Sequence, residues 1–256
     1  LMTAAIVTIP IMIKLGVVLR GQSFLGTLML TLGGSAIFPY IIAEGLYYAS
    51  VSDAGALASG TLPFWAALFA FLILGERPNK FKMLGLALIL TGALFVGLWK
   101  IFNVSQTQEW KGHILFLLAA CLWSIYSVYY RKSGLSPVHG LVIGLFWGSV
   151  FTLPLIFIFG DINFAEKTIT ELSSMAFLQG ILIAVLALVL YSVAVREIGA
   201  AQTAAFGALT PLLSLTGGII LLNEAIFFTT IFGIILVTIG VLMASGIFER
   251  DHKVNS

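Results

Sequence analysis

Residues 62–77 read LPFWAALFAFLILGER, and residues 210–225 read TPLLSLTGGIILLNEA. In each stretch a proline is followed thirteen residues later by a glutamate, after a long apolar run. One offset of 148 residues pairs Pro63 with Pro211, Glu76 with Glu224, Gly85 with Gly233 and Gly92 with Gly240. Residues 54–97 and 202–245 are therefore two copies of one helical pair, which indicates a protein built from internal repeats.

The composition is typical of a chain that is embedded in a lipid bilayer. It is 60% hydrophobic and 9% charged, whereas a soluble domain has about 45–50% apolar and about 25% charged residues. The net charge of +2 is too small to suggest nucleic acid as a partner. Cys121 is the one cysteine, which excludes an intrachain disulfide.

The apolar runs predict an all-α, polytopic membrane protein, because a helix needs about 20 apolar residues to cross a bilayer. We expect spans at 1–19 (partial), 23–49, 53–74, 81–101, 111–131, 137–159, 174–196, 200–222 and 227–248. The span at 111–131 has no counterpart in the first copy, so the repeat predicts one further helix ahead of residue 1. We expect a first repeat at 1–101 lacking its first helix, a second at 109–249, and a tail at 250–256.

The basic residues predict the orientation, because cytoplasmic loops are enriched in Lys and Arg. Ten of the thirteen fall at one set of alternate helix ends: Lys14, Arg20, Arg77, Lys80, Lys82, Arg131, Lys132, Arg196, Arg250 and Lys253. This places the C-terminus in the cytoplasm. Basic residues follow Glu76 but not Glu224, so matching turns lie on opposite sides of the membrane. The prediction is two inverted-topology repeats of five helices, ten in the complete protein and about nine here.

The repeated motifs resemble those of the EamA-type members of the drug/metabolite transporter superfamily. The resemblance rests on residues 57–63, 74–77 and 84–92, on their second copies at 210–211, 221–224, 233 and 240, and on residues 119–124. It covers nearly the whole chain, with Asn223 departing from the glycine more usual before the glutamate. The family implies ten helices, a central cavity, and exchange of a substrate for a proton or for another substrate. It does not imply which metabolite is carried.

Glu44 is the leading candidate for a substrate or proton site, because it lies well inside an apolar run and intramembrane carboxylates are costly. Tyr40, Tyr47 and Tyr48 lie four before, three after and four after it, on the same helix face. Such a group could hold an ammonium ion through charge and cation–π contact. The alternative is that Glu44 lies near the outer interface, among tyrosines of an aromatic belt.

Trp123 and Ser127 share one face of the helix predicted at 111–131. Aromatic rings beside hydroxyl groups suit a cavity for a small amphipathic solute. The alternative is that they only pack against neighbouring helices.

Pro63 and Pro211 each remove a backbone donor inside a membrane helix, which kinks it and leaves a carbonyl to be satisfied. Both could mark helices that rock during transport, or static kinks. Ser59, Trp65 and Thr210 are nearby polar or aromatic candidates for the cavity.

Tyr191 and Ser192 are the last cavity candidates. The repeat offset pairs Ser192 with Glu44, so the second copy lacks the carboxylate. Glu76 and Glu224 are interpreted as turn or capping residues, and His113 as a solvated residue at the outer interface.

The function predicted from these features is secondary transport that exports a small metabolite, such as an amino acid or related amine, with coupling to protons as an option. Its partners would be the lipid bilayer and the solute, in a bacterial or archaeal cytoplasmic membrane. An importer or antiporter on the same fold is one alternative; an intramembrane enzyme or a membrane scaffold is another. We expect no cofactor and no metal, because the sequence contains no phosphate loop, zinc spacing or catalytic triad. The GxxxG spacing at Gly144 and Gly148 leaves a homodimer open.

Overall fold

The computed structural model describes residues 2–17, 28–29, 37–103, 108–159, 168–187, 189–190, 193–194, 206–225 and 227–247. The helices are α1 (Met2–Val7), α2 (Ile9–Leu15), α3 (Ile37–Tyr48), α4 (Val51–Ala54), α5 (Leu62–Leu74), α6 (Lys80–Asn103), α7 (Glu109–Ser133), α8 (Pro137–Phe159), α9 (Ile169–Met175), α10 (Leu209–Leu222) and α11 (Phe228–Ala244). Two of them continue as π-helix, α4 through Gly55–Ser59 and α9 through Ala176–Ala187.

Four described segments are long and apolar enough to span a membrane: Val51–Leu74, Lys80–Gly97, Glu109–Ser133 and Ile169–Ala187. The first three correspond to the spans predicted at 53–74, 81–101 and 111–131. The all-α, polytopic fold class is thereby confirmed. The first segment differs from expectation in one respect, because it is α4, a π-helical stretch and α5 in succession instead of one kinked α-helix.

The contacts divide the chain into two compact units. A large unit comprises Tyr40–Val128 and Glu197–Ser256, and a small unit comprises Leu1–Pro39 and Tyr129–Arg196. This division follows contacts and not sequence repetition, so the repeat boundaries at 101 and 109 stay a prediction.

Helices α6 and α11 pack closely along glycine-lined faces in the large unit. An ideal Cβ added to Gly85 would lie 2.7 Å from the Gly240 carbonyl oxygen, and one added to Gly92 would lie 2.5 Å from that of Gly233. A Cβ added to Gly233 or to Gly240 would lie similarly close to the carbonyl oxygen of its partner glycine on α6. Residues later in α6 contact residues earlier in α11, so the two helices are antiparallel. Only glycine permits backbones to approach this closely.

The two helices also exchange equivalent contacts. Gly85 corresponds to Gly233 in the repeat, and Gly92 corresponds to Gly240. Gly85 nevertheless meets Gly240 and Gly92 meets Gly233, which is the reciprocal pattern of a two-fold interface. Matching copies of one helix therefore run in opposite directions, as inverted repeats require.

The turns after α5 and α10 have the same construction. Gly75 ends α5 with φ 72°, and Asn223 ends α10 with φ 51°. Each glutamate that follows donates its backbone N–H to the carbonyl six residues earlier, at 3.3 Å for Glu76 and 3.0 Å for Glu224. Asparagine adopts this left-handed conformation more readily than most non-glycine residues, which explains how Asn223 replaces the usual glycine. The predicted turn role of both glutamates is confirmed.

The small unit packs α1, α2 and α8 around Ala4, Met12, Val142 and Leu145. Two hydrogen bonds join the end of α2 to α8. The Trp147 indole donates to the Val17 carbonyl at 2.8 Å, and the His139 ring lies 3.2 Å from the Gly16 carbonyl oxygen. These bonds satisfy carbonyls that the end of a helix leaves without intrahelical partners.

Candidate functional site

The π-helical stretch before Pro63 forms the centre of the large unit. Gly60 donates its N–H to the carbonyl of Gly55, five residues back, at 2.9 Å. The Thr61 hydroxyl donates to the Leu57 carbonyl at 2.6 Å, so a side chain provides a hydrogen bond to a backbone carbonyl within the π-helical stretch. Helix α5 then starts afresh with Pro63 in its first turn, where a missing N–H costs nothing. π-Helical turns are frequent at functional sites.

The second proline segment packs directly on this stretch. Pro211 is buried in the first turn of α10, and Thr210 beside it is half-buried. A Cβ added to Gly55 would overlap the side chain of Ser214 and lie 3.4 Å from the Cα of Pro211. The structure therefore brings the second proline segment onto the π-helical stretch that precedes Pro63, through a glycine that leaves space for it. Ser59, at the end of that stretch, is half-buried.

Glu44 lies half-buried on α3, and among the described residues its carboxylate has no hydrogen-bond or ion-pair partner. The tyrosines around it have different environments. Tyr40 is 69% exposed and Tyr47 83% exposed. Tyr48 is half-buried, with its ring edge-on to Tyr47 and its face 5.4 Å from the Lys111 ammonium. The three rings thus share a helix face without enclosing the carboxylate.

Trp65, Trp123 and Ser127 are all half-buried. The Trp65 ring stacks on Phe69 at 6.3 Å, and its indole N–H finds no hydrogen-bond partner among the described residues. The Trp123 ring lies 5.3 Å from Tyr126, and the Ser127 hydroxyl donates to the Trp123 carbonyl at 2.7 Å. A buried indole donor without an acceptor is costly unless a ligand or water supplies one. Tyr191 and Ser192 lie outside the described residues.

The carboxylate of Glu224 holds the start of α4. It accepts hydrogen bonds from the Val51 N–H at 2.7 Å and the Ser52 N–H at 3.2 Å. The Ser52 hydroxyl donates to it at 2.5 Å. An anion at a helix N-terminus satisfies backbone donors and interacts favourably with the helix dipole. Glu224 therefore connects the turn after α10 to the helix that leads into Pro63.

A cluster of three titratable residues lies beside this capped end. Asp53, in α4, is fully buried, and its Oδ2 lies 3.0 Å from Nε2 of His113 in α7. Glu109 lies one turn before His113 on α7. One polar atom from each of the three residues falls within 4.8 Å of the other two.

This cluster corrects two expectations from the sequence. His113 is 4% exposed and not solvated, and Asp53 is a more deeply buried acid than Glu44. Sequence reasoning missed both because each stands at the edge of an apolar run, where charged groups usually reach water. The i, i+4 spacing of Glu109 and His113, which places both on one helix face, was the available signal.

An apolar groove of about 530 Å³ runs between α5 and α6. Its walls are Phe64, Ala67, Leu68, Phe71, Pro78, Met83, Leu86, Ala87 and Leu90, with Arg77 as its one charged residue. None of these was among the predicted site residues. Its apolar walls offer no counter-charge for an amine.

Comparison with known proteins gives consistent results. The model of the EamA-like transporter family matches residues 1–98 and 110–246. The uncharacterized transporter YoaV of Bacillus subtilis is 28% identical over 74% of this chain and 65% of its own length. The uncharacterized transporter YcxC of the same species is 25% identical over 97% of this chain and 82% of its own. The chain thus matches just under two thirds of YoaV.

Among the solved structures that resemble the chain, one crystal structure has a TM-score of 0.59 at 19% identity. The match covers 94% of this chain and 83% of that one. At this identity the likeness concerns the fold alone.

Proposed function

The chain belongs to the EamA-like transporter family, and we propose that it is a secondary transporter that exports a small metabolite, such as an amino acid or related amine, in exchange for protons. It is an integral, multi-pass membrane protein. The proposed cycle is alternating access, in which the binding site opens to one side of the membrane at a time.

The half-buried carboxylate of Glu44 carries the proposal. Removing a carboxylate from water without a partner is unfavourable, and no described residue pairs with it. A cationic solute would supply the missing charge, and the Tyr40, Tyr47 and Tyr48 rings would offer cation–π contacts. Trp65 would donate its indole N–H to an acceptor of the solute.

The elements that would move are the two proline segments. Pro63 follows a π-helical stretch, and Pro211 packs against the start of that stretch at Gly55. The antiparallel crossing of α6 and α11 supports two related conformations, because exchanging the roles of inverted repeats interconverts inward-open and outward-open states.

A solute screen tests the function first. The purified protein in detergent is heated with each of the twenty amino acids and a set of primary amines, and a specific solute raises the unfolding temperature by mass action. Hits are then assayed as radiolabelled solutes in proteoliposomes. A proton-coupled exporter concentrates the solute on the acidic side, whereas a proton-coupled importer concentrates it on the alkaline side. Failure of every solute to stabilise the protein or to cross the membrane would refute the proposal.

Glu44→Gln is the direct test of the carboxylate. If Glu44 is the counter-charge, the variant binds the solute about tenfold or more weakly, since a desolvated charge pair loses one partner. Glu76→Gln is the matched control, because Glu76 is an exposed carboxylate on a turn outside the proposed site. Unchanged binding, rate and pH dependence in Glu44→Gln would show that Glu44 has no part in transport.

A further inference from the structure

The apolar groove between α5 and α6 has no part in the proposed transport cycle. Each helix contributes four wall residues at the i, i+3, i+4, i+7 spacing of a single helix face. They are Phe64, Ala67, Leu68 and Phe71 on α5, and Met83, Leu86, Ala87 and Leu90 on α6. Leu68, Phe71 and Met83 are exposed, so the groove opens at the surface of the large unit, where a membrane-spanning chain meets lipid.

The dimensions of the groove fit part of one lipid chain. The first and last wall residues are seven positions apart on each helix, which is about 10 Å along the helix axis. The hydrocarbon core of a bilayer is about 30 Å thick, so a groove that starts at the membrane surface stays within one leaflet. Its volume of about 530 Å³ is in the usual range of small-molecule sites.

The polar end of the groove is the turn between the two helices, and this turn is basic. Arg77 lines that end, is exposed, and has no hydrogen-bond or ion-pair partner among the described residues. Lys80, three residues later, is likewise exposed and unpaired in the part of the chain that the structure describes. Residues 75–82 contain three basic residues and one glutamate, a net charge of +2. An anion at this end would therefore meet unpaired positive charge.

The backbone on both sides of Arg77 is constrained. Gly75 ends α5 in the left-handed conformation, with φ 72°, and Pro78 restricts the chain directly after Arg77. The Asn79 side chain then accepts a hydrogen bond from the Lys82 N–H at 2.8 Å, which caps the start of α6. Arg77 is thus held at the mouth of the groove, and an anion bound there needs little rearrangement of the backbone.

The predicted orientation also favours an anion at this end. The distribution of Lys and Arg predicts that the turn after α5 faces the cytoplasm. The cytoplasmic leaflet is the one that carries anionic lipids, and basic pockets between membrane helices on this side bind anionic headgroups.

We propose that the groove is a binding site for one anionic phospholipid of the cytoplasmic leaflet. One acyl chain lies along the apolar walls, and the headgroup phosphate lies at Arg77. A guanidinium pairs with a phosphate through two parallel hydrogen bonds, and Lys80 adds a second positive charge. The inference goes beyond the proposed transport function and does not depend on the solute.

Two other occupants fit the groove less well. Residues 250–256 contain two basic residues and a single apolar one, Val254, so this tail matches neither the apolar walls nor the basic turn. A second copy of the chain, related by a two-fold axis along the membrane normal, would place the same surface opposite itself. The two basic turns would then lie side by side, where like charges repel.

The charge preference is tested by native mass spectrometry of the delipidated protein in neutral detergent. Dioleoyl phosphatidylglycerol and dioleoyl phosphatidylcholine have the same chains and differ in net charge. Wild-type protein should bind one phosphatidylglycerol about fivefold or more tightly than phosphatidylcholine, and Arg77→Gln should weaken phosphatidylglycerol binding about fivefold. Arg77→Lys keeps the charge and should retain most of the preference. Lys14→Gln removes one exposed charge at the end of α2 and is the matched control, which should bind as wild type does.

The location is tested with phosphatidylglycerol that carries a diazirine in its acyl chain. After irradiation, the label should lie on peptides within residues 62–90. Ala87→Phe should remove most of this labelling, because the ring fills the groove; Ala87 is exposed, so the ring displaces lipid and not another helix. Leu213→Phe, at a 68% exposed position on α10, is the control and should leave the labelling unchanged.

Several results would overturn the inference. Equal binding of the two lipids by wild-type protein would do so, and so would wild-type binding of phosphatidylglycerol by Arg77→Gln. Labelling confined to other helices or to residues 250–256 would show that the lipid or the groove's occupant lies elsewhere. A dimer that Ala87→Phe dissociates would assign the groove to a second copy. Displacement of the lipid by an equal concentration of glycerol phosphate would show that the headgroup alone is recognised.

Discussion

At the scale of single residues, the polar groups at the start of α4 determine how this part of the large unit is held. Glu224 accepts three hydrogen bonds from Val51 and Ser52, and Ser50 accepts one from the Asp53 N–H at 3.1 Å. These bonds satisfy backbone donors that the first turn of a helix leaves without partners.

Glu224→Gln should therefore destabilise the protein by about 1–3 kcal/mol, because an amide N–H₂ would face a buried backbone donor. The free energy of unfolding in detergent, from denaturant titration, measures this. Glu76→Gln changes the corresponding glutamate of the other copy, which is exposed, and should cost less. Equal losses in the two variants would contradict the capping role of Glu224.

The sequence predicted the residues whose roles are local. Glu76 and Glu224 follow apolar helices by a fixed spacing, so their turns could be derived from that spacing. The contact between Asp53 and His113 could not, because it joins distant segments and depends on how α4 lies against α7. Charge at the edge of an apolar run indicates an interface unless another helix covers it, and the local pattern does not show that cover.

At the scale of elements, the crossing of α6 and α11 was predictable in part. The offset of 148 residues identified all four glycines, and small residues in membrane helices indicate close packing. Only the structure shows that the two helices pair with each other within one chain, Gly85 with Gly240 and Gly92 with Gly233. The π-helical Gly55–Ser59 was not predictable, because its hydrogen bonds depend on burial against α10.

Gly92→Ala tests the crossing. The added methyl group would lie 2.5 Å from the Gly233 carbonyl oxygen, so the helices must separate, and overpacking of this kind costs about 1–3 kcal/mol. Gly217→Ala is the matched control in α10, where nothing lies within 4 Å of the new methyl, and it should be neutral or stabilise by about 0.5–1 kcal/mol. Thermal unfolding in detergent compares them. A stable Gly92→Ala would show that the crossing tolerates more space than the structure indicates.

At the scale of the whole molecule, the repeat and the charge asymmetry lead to the same topology by independent routes. The reciprocal glycine contacts show that matching helices are antiparallel. The basic residues predict which ends face the cytoplasm, because Lys and Arg are retained on that side. Neither observation derives from the other, since one concerns packing and the other concerns insertion.

Reporter fusions determine the orientation and test the distribution of basic residues separately from the antiparallel helix packing. We predict that green fluorescent protein fused after Ser256 is fluorescent and that alkaline phosphatase at the same position is inactive, because the C-terminus faces the reducing cytoplasm, where the disulfides of the phosphatase do not form. When the chain is truncated after Gln108 and the reporters are fused there, we expect an inactive fluorescent protein and an active phosphatase, since that connection is predicted to lie outside. If both fusions report the cytoplasm, an even number of helices crosses the membrane between residues 108 and 256, which contradicts the five spans predicted there. If both results are exchanged, antiparallel packing survives but the positive charges do not set the orientation.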